Sequence, residues 1–324
     1  MTGPGVVRTV LGDLAPADLG RTNYHEHLFH ASPLLPGDDL DDPELSRRET
    51  ELLRDSGFDA IVELTPIGLG RNPHGVVEIA RATGVHVVAA TGVHRHQHYA
   101  RDHPVHDWDE EAMLECFVTE LVRGFRPDPF GGGDLLDARA GVIKVGVGYW
   151  QITAFEERVL AAAGEAHRRT GAPVVCHTEL GTATWEAAEL LERHGMSRDK
   201  LVLAHVDRNP DPGLHTELAD SGVYLGYDGA ARAKYWPDSV LVDCLVSVAE
   251  RGGRDRLLLG GDVARRSSFA AYGGMPGMAY LGDRFVPRVR EAGGDELVDA
   301  VLVTNPARLL AFTPPDGAAA HAPA

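Results

Sequence analysis

Asn23-Tyr24-His25-Glu26-His27-Leu28 reads as the end of a short strand. Residues two apart on a strand share a face, so His25 and His27 can converge on one point. A lone His-x-His pair is ordinarily surface decoration. It gains meaning here because seven later apolar runs also read as strands, several of them ending at a chemistry-bearing residue. Those strands end near Glu63, Ala90, Val145, His177, His205, Tyr227 and Asp262, which with the first makes eight.

The intervals between strands carry helix punctuation. Asp42-Pro43 and Asn72-Pro73 set a capping side chain before a proline, and Gly57 and Gly84 follow as stops. Thr153-Ala154-Phe155-Glu156 is a capping box that closes at Gly171. Met113, Leu114, Phe117, Val118 and Leu121 fall at helical spacing between Asp109 and Gly124. Strand and helix in alternation predict parallel βαβ units. Eight units without a remainder predict one closed (β/α)8 TIM barrel over residues 1–312, and the absence of GxGxxG after the first strand weakens a dinucleotide fold. Val6-Val7-Arg8-Thr9-Val10, turning at Gly12-Asp13, predicts a short β-hairpin before the barrel. The Pro- and Ala-rich segment 313–324 is expected to be a disordered tail.

Composition narrows the function classes. A formal net charge of −17, spread along 324 residues, argues against nucleic-acid and anionic-membrane partners. No apolar run approaches the ~18 residues of a membrane span, and Met1-Thr2-Gly3-Pro4-Gly5 has no signal-peptide character. Cys116, Cys176 and Cys244 are too far apart for a CxxC zinc motif or a disulfide framework. The expectation is three buried thiols in a reducing cytoplasm.

In such a barrel the active site lies at the carboxyl ends of the strands. His25, His27, Lys144, His177, His205 and Asp262 all fall there, each after an apolar run. One strand-end histidine is more often a hydrogen-bonded core residue than a ligand. Four of them with an aspartate point to a transition-metal site. Lys144 has two readings. It is an ordinary lysine paired with an acid such as Asp228, or its amine has taken up carbon dioxide to become an anionic carbamate that can bridge two cations.

These pieces, with Val142-Ile143-Lys144-Val145-Gly146, Cys176-His177-Thr178, Ala204-His205-Val206-Asp207-Arg208-Asn209, Gly260-Gly261-Asp262 and Thr304-Asn305-Pro306-Ala307-Arg308, resemble the phosphotriesterase-like branch of the amidohydrolase superfamily along almost the whole chain. The resemblance implies two divalent ions, zinc or alternatively Co2+, Mn2+ or Fe2+. His25, His27 and Asp262 would hold one, and His177 and His205 the other. Carboxylated Lys144 and a hydroxide would bridge the pair, with Asp262 as catalytic proton acceptor. The implied activity is hydrolysis of a lactone or other carboxylic ester. Phosphotriester hydrolysis is the alternative with the same centre, and an amide or carbamate is a further one. Rivals are a mononuclear deaminase-type relative, in which Lys144 is idle, and a non-catalytic barrel used as a binding module. The partner is a small-molecule ester or lactone; the resemblance also allows a homodimer, for which no sequence patch argues.

Several positions depart from the pattern. Gly261 stands before the strand-eight aspartate where relatives often carry a polar residue, and Gly229 follows Asp228 where they carry arginine or histidine. Arg232 is therefore assigned to that space, and His94 to the place where relatives set a pocket tyrosine. His94, Tyr227 and Arg232 are the expected substrate contacts. The segment containing His94, His96, His98, His103 and His106 reads as a polar lid in preference to an accessory metal site. Tyr99, Trp108, Tyr149, Trp150 and Trp236 line the pocket or pack the loops, and the Tyr272–Gly277 stretch is expected to flank the mouth.

Overall fold

Each apolar run becomes a barrel strand in the computed structural model, which describes residues 5–314. The strands are Thr22–Glu26 (β1), Ala60–Glu63 (β2), His86–Gly92 (β3), Val142–Val147 (β4), Val174–Thr178 (β5), Leu201–Ala204 (β6), Tyr224–Tyr227 (β7) and Leu257–Leu259 (β8). Each pairs in parallel with the next. The seam between β8 and β1 is bridged where the Asp262 and Gly261 N–H groups donate to the His25 carbonyl at 2.8 and 3.2 Å. The architecture is the TIM barrel, and its closing hydrogen bonds join His25 and Asp262 of the ligand-type set, with Gly261 beside them.

The helices follow their punctuation. Pro43–Asp55 (α1) is capped by Asp42, whose carboxylate accepts from the Glu44 and Leu45 amides. Pro73–Thr83 (α2) starts on Asn72 and ends at Gly84, whose φ of 73° only glycine adopts cheaply. Glu110–Val122 (α3) begins on Asp109. Ala154–Thr170 (α4) carries both halves of the Thr153–Glu156 capping box. Thr184–Arg193 (α5), Pro212–Asp220 (α6), Asp238–Glu250 (α7) and Val286–Asp299 (α8) complete the ring.

Two cores result from strand alternation. Inward positions such as Val62, Val88, Val142, Val175, Val202 and Leu258 fill the barrel. The alternate residues, among them Ile61, Val87, Ile143, Val174, Leu203 and Leu257, pack beneath the helices. The inward series continues upward: Val142 is followed by Lys144 and Val175 by His177. Burial of the lower residues therefore aims the upper ones at the mouth.

The predicted hairpin is present as Val6–Thr9 with Gly12–Leu14. It gains a strand that the sequence reading lacked, since Ala311–Phe312 pairs antiparallel with Val6–Val7. The expected disordered tail lies, from residue 315 on, outside the described residues. Among those described, no helix is long and apolar enough to cross a membrane.

Candidate metal centre

His25, His27, Lys144, His177, His205 and Asp262 meet in one cavity of about 680 Å³ at the carboxyl end of the barrel. None is more than 8 % exposed. His25 closes on three neighbours: its ring centroid lies 5.3 Å from that of His27 and 5.1 Å from that of His205, and its Nε2 is 3.4 Å from Lys144 Nζ. The His177 and His205 rings are 4.5 Å apart. His205 and Asp262 have left-handed backbones, with φ of 65° and 49°. Such conformations in non-glycine residues are costly and gather at functional sites.

Each imidazole is oriented by a partner behind it. His25 Nδ1–H donates to Asp228 Oδ2 at 3.0 Å, and His205 Nδ1–H to Asp228 Oδ1 at 2.6 Å. Thr65 Oγ1 donates to the Phe29 carbonyl and so accepts from His27 Nδ1–H, at 2.8 Å. His177 Nε2 faces Glu179 at 3.0 Å. These contacts fix the tautomers, leaving Nε2 of His25, His27 and His205 and Nδ1 of His177 as lone-pair donors.

The donor set suits a cation. His25 Nε2 and His27 Nε2 lie 3.5 and 3.4 Å from Asp262 Oδ1. With protons on Nδ1, three electron-rich atoms face one another, an arrangement that repels unless positive charge sits among them. Two imidazole nitrogens and a carboxylate oxygen, all within 4.8 Å, make a first-row metal set. His25, His205 and Asp228 also lie that close together, but their separations are hydrogen-bond lengths and Asp228 serves as the orienting acceptor.

Electrostatics agree with ligation. Burial lowers the His25 pKa to about 3, with Lys144 adding to the effect, so its ring is neutral. Burial likewise lowers His177 and His205. Burial alone would raise Asp262, yet Arg232, His25 and His205 together hold it well below the usual carboxylate range. Burial lowers Lys144 to about 8, leaving an appreciable unprotonated fraction near neutrality. Among the described residues no carboxylate lies within ion-pair distance of Lys144. Asp228, the acid considered as its partner, is engaged instead by His25, His205 and the Tyr24 hydroxyl.

The expected substrate contacts separate. His94 lines the cavity, stacked on His98 at 4.1 Å and edge-on to His177 at 4.7 Å. Arg232 lines it too, and its Nη2 donates to Asp262 Oδ2 at 2.7 Å. Tyr227 does not: its hydroxyl donates to His215 Nδ1 at 2.6 Å and contacts Cys244 Sγ at 3.3 Å, in the layer under the helices. As the last residue of β7 it takes the outward phase, and the inward phase falls on Asp228.

Other roles escaped the sequence reading. Arg208 Nη2 donates to Asp262 Oδ2 at 2.9 Å, although Arg208 stands in the same short motif as His205. The Gly261 departure is explained by Glu26, since a Cβ at Gly261 would lie 2.1 Å from Glu26 Oε1. Gly229 similarly leaves room for the Asp207 carboxylate, which accepts its N–H at 2.7 Å. The histidine-rich segment folds into two short turns, His96–His98 and Pro104–Asp107. Among the described residues both metal-type clusters centre on His25, and neither includes this segment. Tyr99 packs it from beneath, accepting from the His94 N–H and donating to the Ile67 carbonyl, both at 2.9 Å. Met275 and Pro276 flank the mouth as expected, while Tyr235 rather than Trp236 reaches the wall.

A profile of the Phosphotriesterase family matches residues 5–310. A phospho-furanose lactonase of Mycoplasmopsis synoviae is 32% identical, the match covering 94% of this chain and 91% of the other. An N-acetyltaurine hydrolase of Danio rerio is also 32% identical, over 95% and 98%. Among solved structures, a lactonase from Listeria monocytogenes superposes with a TM-score of 0.87 at 30% identity, covering 95% of this chain and 99% of that one.

Proposed function

We propose that this chain, which belongs to the phosphotriesterase family, is a hydrolase of lactones or related carboxylic esters that works at a two-metal centre. The observation that carries the reading is the convergence of His25 Nε2, His27 Nε2 and Asp262 Oδ1, an electron-rich triad that a cation would satisfy. His25, His27 and Asp262 would hold one ion, His177 and His205 the second, and Lys144 as its carbamate both. The lysine amine adds to carbon dioxide and releases one proton. The resulting anion removes the anomaly of a buried ammonium without a counter-ion. Two such ions supply Lewis acidity toward the scissile carbonyl and lower the pKa of water.

The remaining work falls to side chains. Asp262 takes a proton from the attacking water and delivers it to the leaving alkoxide. Arg208 and Arg232, both on its Oδ2, hold Asp262 ionised and fix its other oxygen toward His25 and His27. His94 and Arg232 contact the substrate, and the turn carrying His96–His98 covers one side of the pocket.

The lactonase names of relatives from Mycoplasmopsis and Listeria favour a cyclic ester. The Danio rerio relative favours a second reading, an amide cleaved by the same machinery. A hydrolysis panel of lactones, aryl esters, N-acyl amides and phosphotriesters with metal-loaded protein tests the proposal. Turnover is expected first among the lactones. Failure of every class while metals are bound contradicts it.

A further inference from the structure

The histidine-rich segment between β3 and α3 is held to the barrel in two different ways. Its outer part rests on rings: His103 lies 5.0 Å from Phe130 and His106 5.4 Å from Phe155, centroid to centroid. Its inner edge, which faces the cavity, is tied by charge. Arg95 opens the turn His96–His98, and its Nη2 sits 2.6 Å from Glu179 Oε2. His96 also approaches a carboxylate, Glu156 at 3.5 Å, but Glu156 is engaged by the cap of α4.

The Glu179 oxygen that meets Arg95 is the same one that accepts the His177 Nε2–H at 3.0 Å. Strand alternation sets this up, because Glu179 follows His177 by two residues with Thr178 extended between them. The backbone just after it is costly. Leu180 and Ala183 take left-handed φ of 55° and 53°, which non-glycine residues keep only where their surroundings impose it. Thr182 supplies part of that hold: its hydroxyl donates to the Glu179 carbonyl at 2.7 Å and accepts the Trp150 N–H at 3.1 Å. Glu179 is thus fixed to the barrel wall, and Arg95 comes to it from a loop.

A carboxylate so placed separates two positive charges. On one side is His177, whose free Nδ1 faces the proposed second ion. On the other is the Arg95 side chain, only 12% exposed, so that little water screens it. A cation on Nδ1 fixes the ring and strengthens the Nε2–H bond to Glu179. Arg95 then meets a carboxylate already ordered, and loses less freedom in binding it. The carboxylate is nearer to Arg95 than the ion can be, since the imidazole lies between, so attraction outweighs repulsion. Without the negative charge, guanidinium and ion would repel across the ring.

We infer that Glu179 couples the histidine-rich segment to the second metal position. A cation on His177 seats the segment through Arg95, and the seated segment in turn tightens the hold on that cation, such coupling being reciprocal. Glu179 is a positioning residue that acts through His177 and Arg95. The inference rests on the two-metal reading for the place of the cation.

The test follows amide exchange of residues 96–107 together with zinc affinity, in the full chain stripped by chelator and reloaded with zinc in bicarbonate. In the wild type, loading should slow exchange in 96–107 about tenfold, within the usual range for coupled sites. Glu179→Gln keeps an acceptor for the His177 Nε2–H but lacks the charge. Loading should then leave exchange in the segment unchanged or faster, and chelator competition should show the weaker zinc held about tenfold less tightly. Arg95→Gln in that background removes the repelled partner, and should restore most of the zinc affinity without restoring the protection. A residue that only props the turn would lower protection alike with and without zinc, and the second change would restore nothing. Equal exchange in stripped and loaded wild type, or a zinc response that survives in Glu179→Gln, overturns the inference. A wild type that binds a single zinc defeats the two-metal reading; the coupling stands if that zinc still slows 96–107 through Glu179, and falls if it does not. Should Glu179→Gln not fold, Arg95→Gln alone decides, since it too should abolish the zinc response of the segment while the tighter zinc stays bound.

Discussion

The Asp228 carboxylate accepts the Nδ1–H of His205 at 2.6 Å. Its other oxygen does the same for His25, so one side chain sets the tautomer of a histidine in each half of the proposed centre. Burial by itself would raise Asp228, but His205 and His25 outweigh it and hold the carboxylate well below its ordinary range.

Asp228→Asn retains the shape but turns one acceptor into a donor, so one of the two imidazoles faces an N–H with its own. That ring must change tautomer and lose its lone pair toward the centre. Metal affinity, measured by chelator competition, is expected to fall about 10- to 100-fold with the fold intact. Unchanged affinity would remove Asp228 from the account.

Gly261→Ala sets a Cβ 2.1 Å from Glu26 Oε1. Glu26 is not free to yield, because its oxygens accept from Asn23 Nδ2 at 2.7 Å and the Val263 N–H at 2.9 Å. The expected cost is about 1–3 kcal/mol in urea unfolding. It should shrink in a Glu26→Ala background, since residues in contact couple. Strict additivity of the two changes would place the crowding elsewhere.

His215 lies outside the centre and gives a pH signature. Its Nε2–H donates to the Val206 carbonyl at 3.1 Å while Nδ1 accepts from Tyr227, and burial lowers its pKa to about 4. The folded value is below the unfolded one of about 6.5, so the unfolded chain binds the extra proton between these limits. The contribution is full above pH ~6.5 and is lost as pH falls toward 4, amounting to about 3 kcal/mol. Relative to His215→Asn, the wild type should lose stability more steeply by about one proton in that window. Parallel stability curves for the two proteins would show that His215 does not titrate this way.

How legible these features were in the sequence follows from their physics. Apolar runs ending at His177, His205 and Asp262 revealed the strands, because burial dictates residue type all along a barrel strand. The caps at Asp42, Asn72 and Thr153 set helix starts through purely local hydrogen bonds. Tyr227 and Asp228 show where the reading fails. They are adjacent, and a one-residue difference in phase decides which of them meets the pocket. Arg208 lies in the same short motif as His205, yet its reach to Asp262 depends on side-chain path and loop geometry, which spacing does not encode. The Ala311–Phe312 strand has two residues and no periodicity of its own. Only its distant partner defines it.

Six side chains, Lys144 among them, are proposed to grip two cations. The decisive measurement is metal content per chain after growth with bicarbonate, for wild type and Lys144→Ala. Close to two divalent ions are expected per wild-type chain and at most one in the variant, with loss of hydrolysis accompanying the missing ion. A wild-type chain active without stoichiometric metal, or a Lys144→Ala variant retaining both ions and full activity, overturns the two-metal reading.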